Sequence, residues 1–137
     1  LLEGKKVSGV VSIAPTAPVI DALKLMAAHG IGAVLVMEGS KLIGILSERD
    51  YARKVVLLGR TSATTPVSDI MSHEVVCARP GDDIHQCMQV MTEKRVRHLP
   101  ILDHKEVIGL VSIGDLVKAV IDEQRNELRH LQDYITS

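Results

Sequence analysis

Phenylalanine and tryptophan are absent from this chain, and Tyr51 and Tyr134 are its only aromatic residues. Modules that grip single-stranded nucleic acid stack bases on several rings, and this chain cannot supply them. Charge is balanced, with 16 Lys and Arg against 17 Asp and Glu and a formal net charge of −1. No long basic run is present to follow a phosphate backbone, so a nucleic-acid partner is not expected. Cysteine is scarce: Cys77 and Cys87 have no metal-ligand spacing, which excludes a zinc ribbon and a disulfide framework and favours a reducing compartment. No apolar stretch reaches the length of a membrane span. Five of the six histidines, His29, His73, His85, His104 and His130, are scattered without ligand spacing. No nucleophile–base pair and no Walker-type glycine loop stands out. The expectation is therefore a soluble non-enzyme with no catalytic residue, metal or catalytic cofactor. Its expected location is the cytoplasm. Because the first residue is Leu1 rather than Met, an organelle matrix is the alternative if an upstream targeting segment has been removed.

What is plentiful is aliphatic. Of 137 residues, 46% are hydrophobic, enough for one compact domain or two small packed repeats. The chain matches itself at an offset of 65 residues: 10–53 aligns with 75–118 without a gap. Val10-Val11, Pro15, Met26, Ile43-Gly44, Ser47 and Asp50 fall on Val75-Val76, Pro80, Met91, Ile108-Gly109, Ser112 and Asp115. Each copy predicts a short strand (Val10–Ile13; Val75–Ala78) and then a helix. Pro18 suits the opening turn of the first helix, and Asp82 the N-cap of the second. Two strands follow around a polar turn (Ala33–Met37 and Leu42–Leu46; Leu99–Leu102 and Val107–Val111), and a last helix begins at Ser47 or Ser112. The unit is βαββα. One unit is too small to bury its sheet; two, packed sheet on sheet, are not.

Residues 1–58 form repeat 1, 59–66 a turn-rich linker containing Thr61–Pro66, and 67–137 repeat 2. Val67 to Met71 suits a short helical turn that brings Met71 near a cleft. Gly59 suits the end of the helix before the linker. From about Gly114 a long helix carries Leu116, Val117, Val120, Ile121, Leu128, Leu131 and Ile135 as a stripe. That stripe packs either on its own domain or, the reading preferred, in a dimer contact.

Both copies carry Gly-apolar-apolar-Ser-x-x-Asp, at Gly44–Asp50 and Gly109–Asp115. Ser-x-x-Asp is close to a capping box. The same carboxylate, at the first helical turn, can accept hydrogen bonds from the 2′- and 3′-hydroxyls of a ribose. The serine hydroxyl and the helix's free N–H groups suit a sugar or phosphate oxygen. The glycine would let a ligand approach the strand, and adenine can lie between aliphatic side chains. Both readings stand at this point.

These motifs, with Arg97-His98-Leu99-Pro100 running into a strand, resemble the CBS domain family over nearly the whole chain. The arrangement is similar to the tandem pair called a Bateman module. The resemblance implies an α/β fold: two βαββα CBS repeats packed with pseudo-two-fold symmetry, plus the long C-terminal helix. It implies a regulatory adenine-nucleotide sensor, binding AMP and/or NAD(H), with ATP or ADP as alternatives, as a homodimer through its CBS helices and read by a regulated protein partner. It implies ribose contacts by Asp50 and Asp115, sugar or phosphate contacts by Ser47 and Ser112, and adenine contacts near Val11, Ala33, Val76 and Pro100. Arg97 and His98 sit where relatives place phosphate-binding cations, whereas repeat 1 has Gly32 and Ala33 there; Arg53 and Arg49 are the substitutes. The Asp115 site is thus expected to favour a monophosphate, and the Asp50 site to hold a dinucleotide or nothing. A structural dimerisation module with an empty cleft is the alternative.

Overall fold

The computed structural model describes residues 10–136, so the first nine residues assigned to repeat 1 lie outside the described residues. Elements recur at the sequence offset. β1 (Ser12–Ile13), α1 (Val19–His29), β2 (Ala33–Glu38) and β3 (Lys41–Ser47) build the first unit; α3 (Ile84–Lys94), β4 (His98–Asp103) and β5 (Glu106–Ser112) repeat it. The hairpins share even their irregularity. Each breaks register once, between Val36 and Met37 and between Ile101 and Leu102. The first sheet runs β1-β2-β3, with β1 parallel to β2; the second has β4 and β5.

Four details differ from the sequence expectation. The strand expected at Val75–Ala78 shrinks to one parallel bridge, Ala78 to Ile101. The N-cap of α3 is Asp83, whose carboxylate accepts from the His85 N–H at 2.8 Å; Asp82 instead closes the turn before it, accepting from the Arg79 N–H at 2.9 Å. The helix after Ser47 makes one α turn, α2 (Glu48–Tyr51), then loosens into a π-helix over Ala52–Val56. Gly44 does not open the strand to a ligand. A Cβ there would lie 2.6 Å from the Met71 sulfur and 3.1 Å from the Ser72 carbonyl oxygen, so the glycine admits the segment at Met71 and Ser72 that follows the linker.

The linker is pinned. Pro18, at the N-cap of α1, offers no side-chain cap. The orphan N–H groups of Val19 and Ile20 donate instead to the carbonyls of Thr65 and Ser62, at 2.8 and 2.9 Å. A 3-10 turn over Val67–Asp69 follows. Val67, Ile70 and Met71 pack into the first core with Val19, Met26, Val34, Val36 and Leu46. The second core gathers Ala78, Cys87, Met91, Leu99, Ile101, Val111 and Leu116. Both are aliphatic, as a chain without Phe or Trp requires. The chain ends in α4 (Ile113–Thr136), 24 residues long, which packs on α3 near its start and is exposed from Ile121 onward.

Candidate functional site

A cavity of about 1030 Å³ lies between the two repeats. One wall is the cap of α2. Ser47 is its N-cap, with φ −112° and ψ 163°. The Ser47 N–H and hydroxyl both donate to Asp50 Oδ2 at 3.0 Å, and the Ser47 Oγ accepts from the Asp50 N–H at 3.1 Å. The capping box therefore forms, and it fixes the carboxylate. The other oxygen, Oδ1, meets the Lys54 ammonium at 3.5 Å and the Ser72 hydroxyl at 3.4 Å. Both contacts are long for charged hydrogen bonds, so a hydroxyl at normal range can displace them.

The helix N-terminus is less open than its sequence suggests. The Glu48 N–H donates to Gly32 O at 3.0 Å, and the Asp50 N–H is used by Ser47. An anion at this wall would therefore be met mainly by side chains, and cationic ones are present. Arg49, Arg53, Lys54, Lys94, Arg95 and Arg97 line the cavity, with His73 and His98, against three acids, Glu48, Asp50 and Glu74. A molecule of net charge −1 thus gathers six cations at one cleft, where low-dielectric walls focus their field. Ile45, Met71, Val75, Val76, Val96 and Pro100 supply the apolar surface.

Of the residues expected at the site, Ser47, Asp50, Arg53, Met71, Val76, Arg97, His98 and Pro100 line this cavity; Val11, Ala33, Ser112 and Asp115 do not. The division follows the repeat. Ser47 and Asp50 come from the helix cap of repeat 1, while Val76 comes from the extended segment before Ala78, and Arg97 and His98 from the point where β4 starts, in repeat 2. Arg97 and His98 thus share a cavity with Asp50, not with Asp115 as expected. The repeats meet there: a Cβ on Gly32 would be 3.6 Å from the His98 ring. Val11 accepts from the Leu35 N–H and packs on the first core. Ala33 is fully buried and pairs with Ser47 across the sheet. Ser112 and Asp115 form the same capping box as their counterparts, at 2.8 and 3.1 Å. Positions matching 71–74 in the other half are 6–9, outside the described residues.

Sequence reasoning missed Lys54, Ser72, His73, Lys94 and Arg95. Lys54, four residues after Asp50 on one helical stretch, was detectable by spacing. Ser72 was not, because a backbone bridge between Ile45 and Ser72 brings it in. Arg95 carries a left-handed backbone, φ 55°, at the end of α3, where Gly30 ends α1 with φ 63°. Neither thiol is poised for chemistry. Burial pushes the Cys77 thiol up, and burial followed by Asp82 and Asp83 pushes Cys87 up, so the nucleophilic thiolate is the minor form of each at neutral pH. Among the described residues no group of three or more His, Cys, Asp and Glu is placed to hold a metal ion. No helix among them is long and apolar enough to cross a membrane.

Two stretches, 6–57 and 67–122, match the family model of the CBS domain. The chain belongs to the CBS domain family. It is 45% identical over 122 residues to the mitochondrial CBS domain-containing protein CBSX3 of Arabidopsis thaliana, covering 85% of this chain and 59% of that one. This chain thus spans under two thirds of that relative. It is 35% identical over 118 residues to the CBS domain-containing protein YhcV of Bacillus subtilis, covering 86% of this chain and 81% of the other. Among solved structures, a putative signal-transduction protein with CBS domains from Burkholderia ambifaria superposes with a TM-score of 0.86 at 49% identity, covering 90% of this chain and 92% of that one. The α/β architecture of two CBS repeats with a C-terminal helix is thereby established.

Proposed function

We propose that this CBS pair is a regulatory sensor that binds a phosphate-bearing adenine nucleotide (AMP, ADP, ATP or NAD(H)) in the cleft between its repeats. One observation carries the reading: a carboxylate held by its cap, at Asp50, lines one cavity with six cations contributed by both repeats. The carboxylate suits a ribose diol, the aliphatic surface at Val76 and Pro100 suits adenine, and the guanidiniums suit phosphate by charge and fork geometry. The cavity volume is at the upper end for small-ligand sites, which supports a dinucleotide or a polyphosphate chain. Two solved CBS proteins add support by analogy. One, from Pyrobaculum aerophilum, is complexed with AMP; another pair is complexed with 5′-methylthioadenosine and S-adenosyl-L-methionine. The surplus of cations here favours the phosphorylated compounds over the cationic sulfonium. The sensor acts as a homodimer through its CBS helices, catalyses nothing, and passes a conformational change to a regulated protein partner in the cytoplasm or an organelle matrix. The nucleotide can shift that conformation only by its difference in affinity for the two states.

Calorimetric titration of the full chain with AMP, ATP and NADH tests the site. Asp50→Ala is expected to weaken binding about 10- to 100-fold, the ~1.5–3 kcal/mol of a charged hydrogen bond. Asp115→Ala should leave this cleft's affinity in place, and 2′-deoxy-ATP should bind more weakly than ATP. Equal affinity of Asp50→Ala and the unaltered chain, or no binding of any of the three nucleotides, would overturn the proposal.

A further inference from the structure

The surface of α4 is apolar in a pattern of its own. Leu116 is 2% exposed and anchors the helix to the second core. The exposed large hydrophobics of α4 are Val117, Ile121, Leu128, Leu131, Ile135 and Tyr134, and Leu128 and Leu131 are 58% and 59% exposed. Apart from Tyr134 they fall on one line. With Gln124 in the gap, the positions 117, 121, 124, 128, 131 and 135 are spaced 4, 3, 4, 3 and 4. That is a 3.5-residue period, which keeps a seam facing a second helix rather than drifting around the first. In heptad terms Ile121, Leu128 and Ile135 are a positions, and Val117, Gln124 and Leu131 are d positions. The seam rises about 27 Å along the axis.

We propose that this seam pairs with the α4 of a second copy of the chain as a short parallel coiled coil. The occupant and its direction follow from the polar positions. In a parallel, in-register pair, Gln124 meets its own copy and the two amides bond to each other. In the antiparallel pair aligned end to end, 124 faces 128, so each Gln124 is buried against a Leu128 without a partner, a costly arrangement. The flanks agree. An antiparallel pair sets Arg125 beside its own copy and Glu127 beside its own copy, like against like. A parallel pair sets Val120 beside Arg125 and Glu127 beside Gln132, with no repulsion. A seam of two and a half heptads is too short to hold two chains alone. The inference therefore rests on the homodimer proposed above, and specifies where its C-terminal helices meet and which way they run.

Sedimentation equilibrium and disulfide trapping of the full chain test it. The dimer dissociation constant of Leu128→Glu/Leu131→Glu should rise about 100-fold or more, since carboxylates would be buried at the seam. These leucines are exposed in the single chain, so its circular dichroism and melting should be unchanged when compared as monomers. In a Cys77→Ser background (the position matching Ser12), Leu131→Cys should form an interchain disulfide under mild oxidation, as a d position facing itself allows. An unchanged dissociation constant for the double glutamate variant overturns the seam while leaving the homodimer. Loss of dimer in the double glutamate variant without trapping at 131 overturns the parallel direction. A monomeric unaltered chain overturns both this inference and the homodimer.

Discussion

Gly44 shows how one missing side chain shapes the site. β3 is buried at Gly44 and Leu46, and Gly44 is the position against which Met71 lies, 6% exposed. Met71 lines the cavity, so the glycine acts on the cavity wall at one remove, by letting the segment at Met71 and Ser72 close against the sheet. Gly44→Ala is expected to cost about 1–3 kcal/mol by overpacking, because the methionine has little room and the Ser72 carbonyl is backbone. Met71→Ala alone should cost about 2–5 kcal/mol as a truncated core residue. In the Met71→Ala background the alanine at 44 should cost far less, giving a clear coupling in a double-mutant cycle by urea unfolding. Strictly additive losses would mean that the two side chains do not compete for the same space. The repeat at Gly44 and Gly109 was legible in the sequence, but what the first glycine makes room for was not, since a contact across 27 residues leaves no local pattern.

At the scale of elements, two copies of one unit solve the same local problem differently, and the differences fall around the cleft. α1 begins on linker carbonyls and α3 on the Asp83 side chain. α1 ends on Gly30, whereas α3 ends on Arg95, an L-residue held at φ 55°. A left-handed backbone costs a residue with a Cβ about 1–2 kcal/mol, and such strain collects at functional sites. Here it places a guanidinium in the cavity lining. Arg95→Gly is expected to raise unfolding stability by about 1 kcal/mol, seen as a higher melting temperature without ligand, and to weaken nucleotide binding at low salt. A lower melting temperature would show that the arginine contributes more through contacts than its backbone costs. Strands, helices and both capping boxes were readable because each follows a short period or a three-residue spacing. Caps made by distant carbonyls, as at α1, and the π segment that carries Arg53 into the lining have no such signature. The shift of the α3 cap from Asp82 to Asp83 is a choice between adjacent carboxylates that composition cannot decide.

For the whole molecule the repeat predicts two like units but not how they join. Periodicity identifies the residues that share a face within a unit; it is silent on which unit's cap meets which unit's strand start. That is why the expected site residues divide between two halves of the pseudo-two-fold arrangement, with Arg97 lining the same cavity as Asp50. The two units are also unequal. The first core takes in Val67, Ile70 and Met71 from the start of the stretch assigned to repeat 2 and is covered by a three-stranded sheet; the second has two strands and one bridge. Fewer buried contacts imply a lower opening free energy, so without nucleotide the amides of β4 and β5 should exchange hydrogen faster than those of β2 and β3. A ligand touching Asp50 on one repeat and Arg97 on the other cannot stay bound when either opens. At 100 times its dissociation constant it should raise the opening free energy of the second unit by about 2.7 kcal/mol, slowing exchange in β4 and β5 about 100-fold wherever exchange proceeds through that opening. Protection confined to β2 and β3 would mean that the nucleotide sits on one repeat alone, because a ligand held by both must report on the weaker of them.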